Sequence, residues 1–401
     1  MNDVLLYECL RTPRGVGKPG GALSGVPAAT LLAGVLRELA ARAGLETADV
    51  GEAVFGCVTQ VGEQAGNVGK VAALEAGWSD AVSVATVNHY CASSLWAFAT
   101  ACARVATGDD LAVAGGVESM SRVPMASDQP PFIVDPVTVR RLGSPPMGVS
   151  ADAIATLRGI TREQAEAYAV QSQQRAASAR EAGRFDRSLV PVVDADGHAL
   201  LAHDDTIRAN ASLEKLLAMA PFFAEMGEQW ADALVRARHP QLGAVHHMHH
   251  AGNSPAMADG ASAALLGSPA AVARLRIPAR ARVLATATFA DDHVLALNGA
   301  VGATRRALQR AGLAVGDIDL FEVNESFAAP TLLYLHELGI DGTRCNVNGG
   351  AIALGHAMGA TGTNLVSMLA DELALRGLRR GVAAVSGALG LGAAVVIEAV
   401  A

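Results

Sequence analysis

The segment VSVATVNHYCASSLWAFATACARVATGDDLAVAGG, residues 82–116, decides the fold class. Residues 82–87 are β-branched or small and read as a strand, which runs without a break into Asn88-His89-Tyr90-Cys91. Residues 94–107 carry a helical pattern, and Gly108 supplies the stop signal behind it. Residues 111–114 then form a further apolar strand ending in Gly115-Gly116. A strand, a sharp turn, a helix and a strand in succession form the unit from which α/β layers are built. The alternation continues outward toward the N-terminus, with strands at 4–7 and 54–58 and helices at 28–43 and 67–76.

The second half repeats the first. Arg42-Ala43-Gly44-Leu45 followed by Asp49-Val50 recurs as Arg310-Ala311-Gly312-Leu313 followed by Asp317-Ile318. Val87-Asn88 recurs as Val347-Asn348, and the glycine-bounded strand 111–116 as 382–387. Matched landmarks in matched order indicate an internal duplication. Between the copies lies a region of different character, with breaks at Pro130-Pro131 and Pro145-Pro146. A polar helix over 161–182 opens there on Thr161-Arg162-Glu163-Gln164, a capping-box pattern. The expected organisation is one half from 1–120 plus 251–275, a covering insertion at 121–250, and a second half at 276–401.

Composition narrows the function classes. With 51% hydrophobic and only 17% charged residues, the chain is too apolar to be globally disordered. A net charge of −8, without any basic run, argues against nucleic acid or an anionic membrane as partner. The five cysteines are scattered with no Cys-x-x-Cys pair, so neither a disulfide framework nor a zinc site is signalled. The uncharged stretch 381–397 carries Gly387, Gly390 and Gly392 between β-branched runs, and so reads as strand–turn–strand and not as an anchor. Met1-Asn2-Asp3 lacks the basic and apolar regions of a signal peptide, and the expected location is the cytoplasm.

Cys91 carries the strongest chemical signal. It stands where an apolar strand gives way to a helix, and the positive end of a helix dipole favours thiolate. Against this, most isolated cysteines are small buried hydrophobes. A cysteine nucleophile needs a base, and His356 stands among small residues in Asn346-Val347-Asn348-Gly349-Gly350-Ala351-Ile352-Ala353-Leu354-Gly355-His356. Asn324-Glu325-Ser326-Phe327 follows an apolar strand, where polar groups of α/β proteins commonly face the site. Asn324 is placed to hold a water or a carbonyl oxygen, and Glu325 to orient His356.

These segments, with Gly115-Gly116-Val117-Glu118-Ser119-Met120 and Ala251-Gly252-Asn253-Ser254, resemble the thiolases in order and over essentially the whole chain. The resemblance implies a duplicated five-layered α/β/α/β/α fold with a loop domain over the coenzyme A (CoA) site, assembled as a homodimer or homotetramer. It implies that Cys91 is acylated by acyl-CoA and that His356 activates it. Asn324 and His356 would frame one oxyanion hole. The backbone N–H groups of Cys91 and Ala388, beside Gly387, would frame a second. Met147, Ala251, Gly252, Pro255 and Phe327 would contact the substrate. No resident cofactor is implied, since CoA enters and leaves as substrate and product.

The sequence also departs from the pattern. Where thiolases carry a second cysteine in Cys-x-Gly, this chain reads Ser386-Gly387-Ala388, and no cysteine follows Cys345. An alkyl hydroxyl is a poor general base near neutral pH, so acylation of Cys91 should survive while carbon–carbon chemistry suffers. The family's Gly-His-Pro is Gly355-His356-Ala357, Pro255 replaces a pantetheine-facing serine, and His89, Tyr90 and Trp96 enlarge the groups around the nucleophile. Three readings stay open: a working thiolase, a diverted homologue passing the acyl group to water or another acceptor, and a non-catalytic partner subunit. The run His246-His247-Met248-His249-His250 is not read as a metal site, because no carboxylate supplements it at helical spacing and strand alternation would split its rings.

Overall fold

Alternation within single strands shows how the layers stack. The computed structural model describes residues 3–400. The N-terminal half runs β1 (Val4–Arg11), α1 (Ala28–Ala43), β2 (Glu52–Gly56), α2 (Val68–Glu75), β3 (Ser83–Val87), α3 (Ser93–Thr107) and β4 (Leu111–Ser119). The inserted region contributes α4 (Met147–Arg158) and α5 (Arg162–Glu181), after which β5 (Ala258–Gly267) completes the first half. The second half runs β6 (Ala281–Ala290), α6 (Gly299–Ala311), β7 (Leu320–Val323), α7 (Ala328–Leu338), α8 (Thr361–Arg376), β8 (Arg380–Ser386) and β9 (Leu391–Ala399).

The two halves share one strand order. In the first it is β3-β2-β4-β5-β1, and in the second β7-β8-β9-β6. The pairings match as well: β2 with β4 and β7 with β8 are parallel, whereas β4 with β5 and β8 with β9 are antiparallel. A parallel bridge between Phe321 and Cys345 occupies the place beside β7 that β3 holds beside β2. The halves join where β1 meets β6, with Val4 opposite Val283 and Leu6 opposite Ala281.

In β4, Val113 and Val117 face a core under α1 and α2, while Ala112 and Ala114 face a second core shared with α3 and α8. In β8, Ala383 and Val385 face that same shared core, while Val382 and Ala384 face a third under α6 and α7. Period-two alternation between two buried faces thus yields helix, sheet, helix, sheet, helix. It also explains the apolar stretch that ends the chain: its strands are covered on both sides. Phe98 of α3 is fully buried in the central core, and its truncation to alanine would cost about 3–5 kcal/mol.

The repeated landmarks are helix ends. Gly44 and Gly312 close α1 and α6 in the left-handed conformation, at φ 60° and 66°, and each is followed by a 3-10 turn. Thr161 caps α5 as its spacing predicted, with its side chain on the Gln164 N–H and the Gln164 side chain on its own. The functional consequence lies at the strand ends, because Cys91, Asn324 and Ser386 all stand just beyond or at the C-terminal ends of β3, β7 and β8.

Candidate active site

The turn between β3 and α3 is built from its own side chains. Asn88 Oδ1 accepts the Tyr90 N–H at 2.8 Å, and Ser93 Oγ accepts the His89 N–H at 2.8 Å. The Ser93 hydroxyl in turn donates to the Tyr90 carbonyl at 2.5 Å. These bonds hold Tyr90 at φ 50°, a left-handed conformation that costs a bulky residue roughly 1–2 kcal/mol. The strained turn delivers Cys91 to the floor of a cavity of about 410 Å³, which also exposes His356. Cys91 is 5% exposed, and burial followed by the Glu118 charge pushes its thiol pKa up to about 12. The expectation of a dipole-lowered thiol is therefore corrected. Desolvation of the thiolate outweighs the helix end, and the resting group is S–H.

His356 enters from the opposite half. Gly355 before it adopts φ 81°, a conformation that glycine takes without a Cβ clash, and its carbonyl accepts Arg14 Nη1 at 3.2 Å. The His356 N–H bonds the Ala256 carbonyl at 2.8 Å. Thr361 fixes the tautomer. Its single hydroxyl proton goes to the Ala357 carbonyl at 2.9 Å, so its oxygen accepts from His356 Nδ1–H at 2.7 Å. Nε2 is then the basic nitrogen, and it is buried without a hydrogen-bond partner among the described residues. Burial, then the nearby Arg14 charge, push this imidazole's pKa down to about 3, so it rests neutral.

Glu325 does not touch His356, which corrects the role read from spacing. Its carboxylate accepts Tyr168 and Ser172 hydroxyls at 2.7 Å each, and Asn346 Nδ2 and the Ile352 N–H at 3.0 Å each. All four donors lie on α5 or on the segment leading to His356, so Glu325 fastens the covering region to the base-bearing loop. Glu118, in the segment Gly115-Gly116-Val117-Glu118-Ser119-Met120, does similar work on the other side. It accepts N–H groups from Val58, Thr59 and Gly359 and the Gln64 amide, tying the turn after His356 to the first half. Gly116 allows this approach, since a Cβ there would lie 2.0 Å from the Gly359 carbonyl oxygen.

Asn324 lies behind the cavity wall, which Ser326 forms at this point. Its Nδ2 donates to Ser326 Oγ at 3.1 Å, and its buried Oδ1 has no partner among the described residues. Turned over, the amide would accept from Ser326 and present a free N–H instead, because a hydroxyl serves either way. Ser386 ends β8, and its Oγ accepts the Ala300 N–H at the start of α6 at 3.0 Å. Its own proton has no acceptor among the described residues. The turn that follows lies against the nucleophile: a Cβ on Gly387 would come 3.1 Å from the His89 carbonyl oxygen and 3.7 Å from the Cys91 nitrogen. The N–H groups of Cys91 and Ala388 donate to no backbone carbonyl among the described residues.

Of the substrate-contacting residues read from the sequence, Met147, Ala251, Pro255 and Phe327 line the cavity. Gly252 does not line it. Its N–H bonds His250 Nδ1 at 3.0 Å, and a Cβ there would meet Leu216 at 2.5 Å. The histidine run finds carboxylates from distant segments, which occupy its rings as hydrogen-bond partners. His247 and His249 both reach Asp152, and His250 Nε2 donates to Glu166 at 2.7 Å. The second nitrogen of His247 faces Asp232 at 3.4 Å, and the Asp152 bond raises its pKa above the usual histidine value.

The geometry has close parallels. Residues 4–270 match the family profile described as thiolase, N-terminal domain, and residues 276–399 that described as thiolase, C-terminal domain. The chain is 36% identical over 424 residues to a beta-ketoadipyl-CoA thiolase of Escherichia coli, covering 100% of both chains. It is 35% identical over 406 residues to a 3-ketoacyl-CoA thiolase of Aliivibrio fischeri, covering 99% of this chain and 100% of the relative. The crystal structure of the Bacillus anthracis acetyl-CoA acetyltransferase superposes with a TM-score of 0.85 at 30% identity, over 100% of this chain and 99% of that one.

Proposed function

Since the chain belongs to the thiolase family and has a thiolase-type acyltransferase activity, we propose that the reaction proceeds through an acyl-Cys91 thioester with His356 as its base. The observation that carries this is the unpartnered Nε2 of a tautomer-locked imidazole on the cavity that also exposes Cys91. The Cys91 sulfur attacks the 3-carbonyl of a 3-oxoacyl-CoA as its proton passes to Nε2. The carbon–carbon bond then breaks, and the departing acetyl-CoA enolate takes that proton back from His356. A CoA thiol attacks the acyl thioester as its proton passes to Nε2, and His356 returns the proton to the departing Cys91 thiolate. The N–H groups of Cys91 and Ala388, which donate to no backbone carbonyl among the described residues, bind the developing oxyanion, where one donor is worth roughly 3–4 kcal/mol. A water on Asn324 Oδ1 supplies the second oxyanion contact together with the protonated His356.

Ser386 stands at the position where thiolases carry their second cysteine. Its oxygen accepts the Ala300 N–H and keeps a proton to donate, but an alkyl hydroxyl is a poor base near neutral pH. This favours acylation of Cys91 over carbon–carbon bond formation, and it keeps transfer to water or another acceptor as a second reading. A silent partner subunit is disfavoured by the complete Cys91, His356 and Thr361 arrangement.

The active form is a homodimer or homotetramer in the cytoplasm. The edge strand β3, half-exposed along most of its length, offers unpaired backbone for a second copy. No described helix is long and apolar enough to cross a membrane, and the five cysteines are free and buried. Mixing the protein with acetoacetyl-CoA and CoA tests the reading. Acetyl-CoA release together with an acetyl adduct on Cys91 supports a complete thiolase. An adduct without thiolysis supports the diverted reading. No adduct from any acyl-CoA would overturn both.

A further inference from the structure

The cavity walls speak to the acyl group itself. Near the buried nucleophile they are thioether and hydrocarbon, with Met120, Met125, Met147, Leu297, Phe327 and Met358 among them. Among the described residues, no lysine or arginine lines the cavity. Neither of its two imidazoles presents a free N–H to the cavity. His250 has both nitrogens occupied, one by Glu166 and one by the Gly252 N–H. His356 rests neutral, with Nε2 as an acceptor.

Two E. coli relatives at 36% identity are named for beta-ketoadipyl-CoA and for 3-oxoadipyl-CoA, substrates that end in a carboxylate. Thiolysis of such a substrate would leave a succinyl group on Cys91, whose carboxylate stands only two methylenes from the thioester carbonyl. Cys91 is 5% exposed, so that carboxylate would stand beside a buried sulfur among mostly apolar walls. It would be buried without a cation to pair with it among the described residues, since the side-chain hydroxyls of Ser254 and Ser326 bring no charge. A methyl or alkyl end at the same place gains from burial instead, and the methionines adapt to its shape.

Resting on the acyl-Cys91 reading above, we propose that this enzyme is selective for acyl groups with an uncharged, apolar end and excludes the carboxylate-ended acyl groups that its dicarboxylate-processing relatives are named for. The selectivity lies in the missing cation and not in the size of the cavity.

The test separates charge from length, and separates this inference from the reading beneath it. Single-turnover acylation of Cys91 is followed by intact mass with butanoyl-CoA, succinyl-CoA and the monomethyl ester of succinyl-CoA. A Cys91→Ala variant controls for non-specific transfer. Butanoyl-CoA and the methyl ester should acylate at comparable rates, with succinyl-CoA slower by on the order of 100-fold or more. Equal rates for all three would overturn the inference while leaving the acyltransferase reading intact. A slow methyl ester alongside fast butanoyl-CoA would also overturn it, by showing that length decides. Acylation by none of them would overturn both.

Discussion

Removing the Thr361 hydroxyl tests how the base is prepared. Thr361→Val keeps the shape of the side chain at the start of α8 and deletes only the oxygen that His356 Nδ1–H reaches at 2.7 Å. Two effects follow. The buried Nδ1–H loses its acceptor, a loss of about 1–3 kcal/mol. The imidazole also ceases to be held in the tautomer whose Nε2 is basic, because a neutral ring without a partner can carry its proton on either nitrogen. Together these should slow single-turnover acylation of Cys91 by about 10- to 100-fold, equivalent to about 1.4–2.7 kcal/mol of barrier. Substrate affinity should change little, since Thr361 is not part of the cavity wall. The assay is stopped-flow or quenched acylation monitored by mass, with Thr361→Ser as the rescue variant. Wild-type acylation by Thr361→Val, or failure of Thr361→Ser to recover, would refute the tautomer argument.

Further outcomes follow from the same geometry. Ser386→Cys should raise acetoacetyl-CoA thiolysis at least about 10-fold while leaving butanoyl transfer to Cys91 nearly unchanged; no gain in a steady-state thiolysis assay sinks the role given to that position. With Cys91 near 12 and His356 near 3, kcat/KM for acylation should be flat from about pH 5 to 9, and an inflection near 6.5 would show that His356 titrates normally. The same depressed imidazole makes the fold acid-sensitive. The unfolded chain binds a proton at His356 below about pH 6.5 that the native chain refuses until about pH 3, so stability falls with pH across that window by up to about 1.4 kcal/mol per unit. Urea unfolding of His356→Asn should lose that part of the slope. Glu325→Gln places an amide N–H against a ring of four donors and should lower stability by about 2–4 kcal/mol, read as a reduced urea midpoint at unchanged m-value.

The sequence made visible what depends on local pattern. Cys91 and His356 stood out because a nucleophile at a strand end and a base among glycines leave marks within a few residues. The duplication was legible in Gly44 and Gly312, since both must adopt a left-handed helix end. What it concealed depends on tertiary burial and on partners far along the chain. The helix end beside Cys91 was visible, but the desolvation that raises its thiol was not. Glu325 looked like a partner for His356 because it follows Asn324, whereas its four donors come from α5 and from residues 346–352. Thr361 gave no signal, being a threonine in an ordinary helical run until the loop brings it under the imidazole. The histidine run was judged by its own spacing, and Asp152 and Glu166, which hold it, lie in the preceding helices.

The central claim is a covalent acyl-Cys91 intermediate formed with neutral His356 as base, and intact-mass analysis of the protein after brief exposure to butanoyl-CoA tests it most directly. The account predicts one butanoyl adduct per chain, mapped to Cys91, absent from Cys91→Ala and formed at least about 100-fold more slowly by His356→Ala. An unmodified wild-type chain, or an adduct that persists in Cys91→Ala, would contradict it.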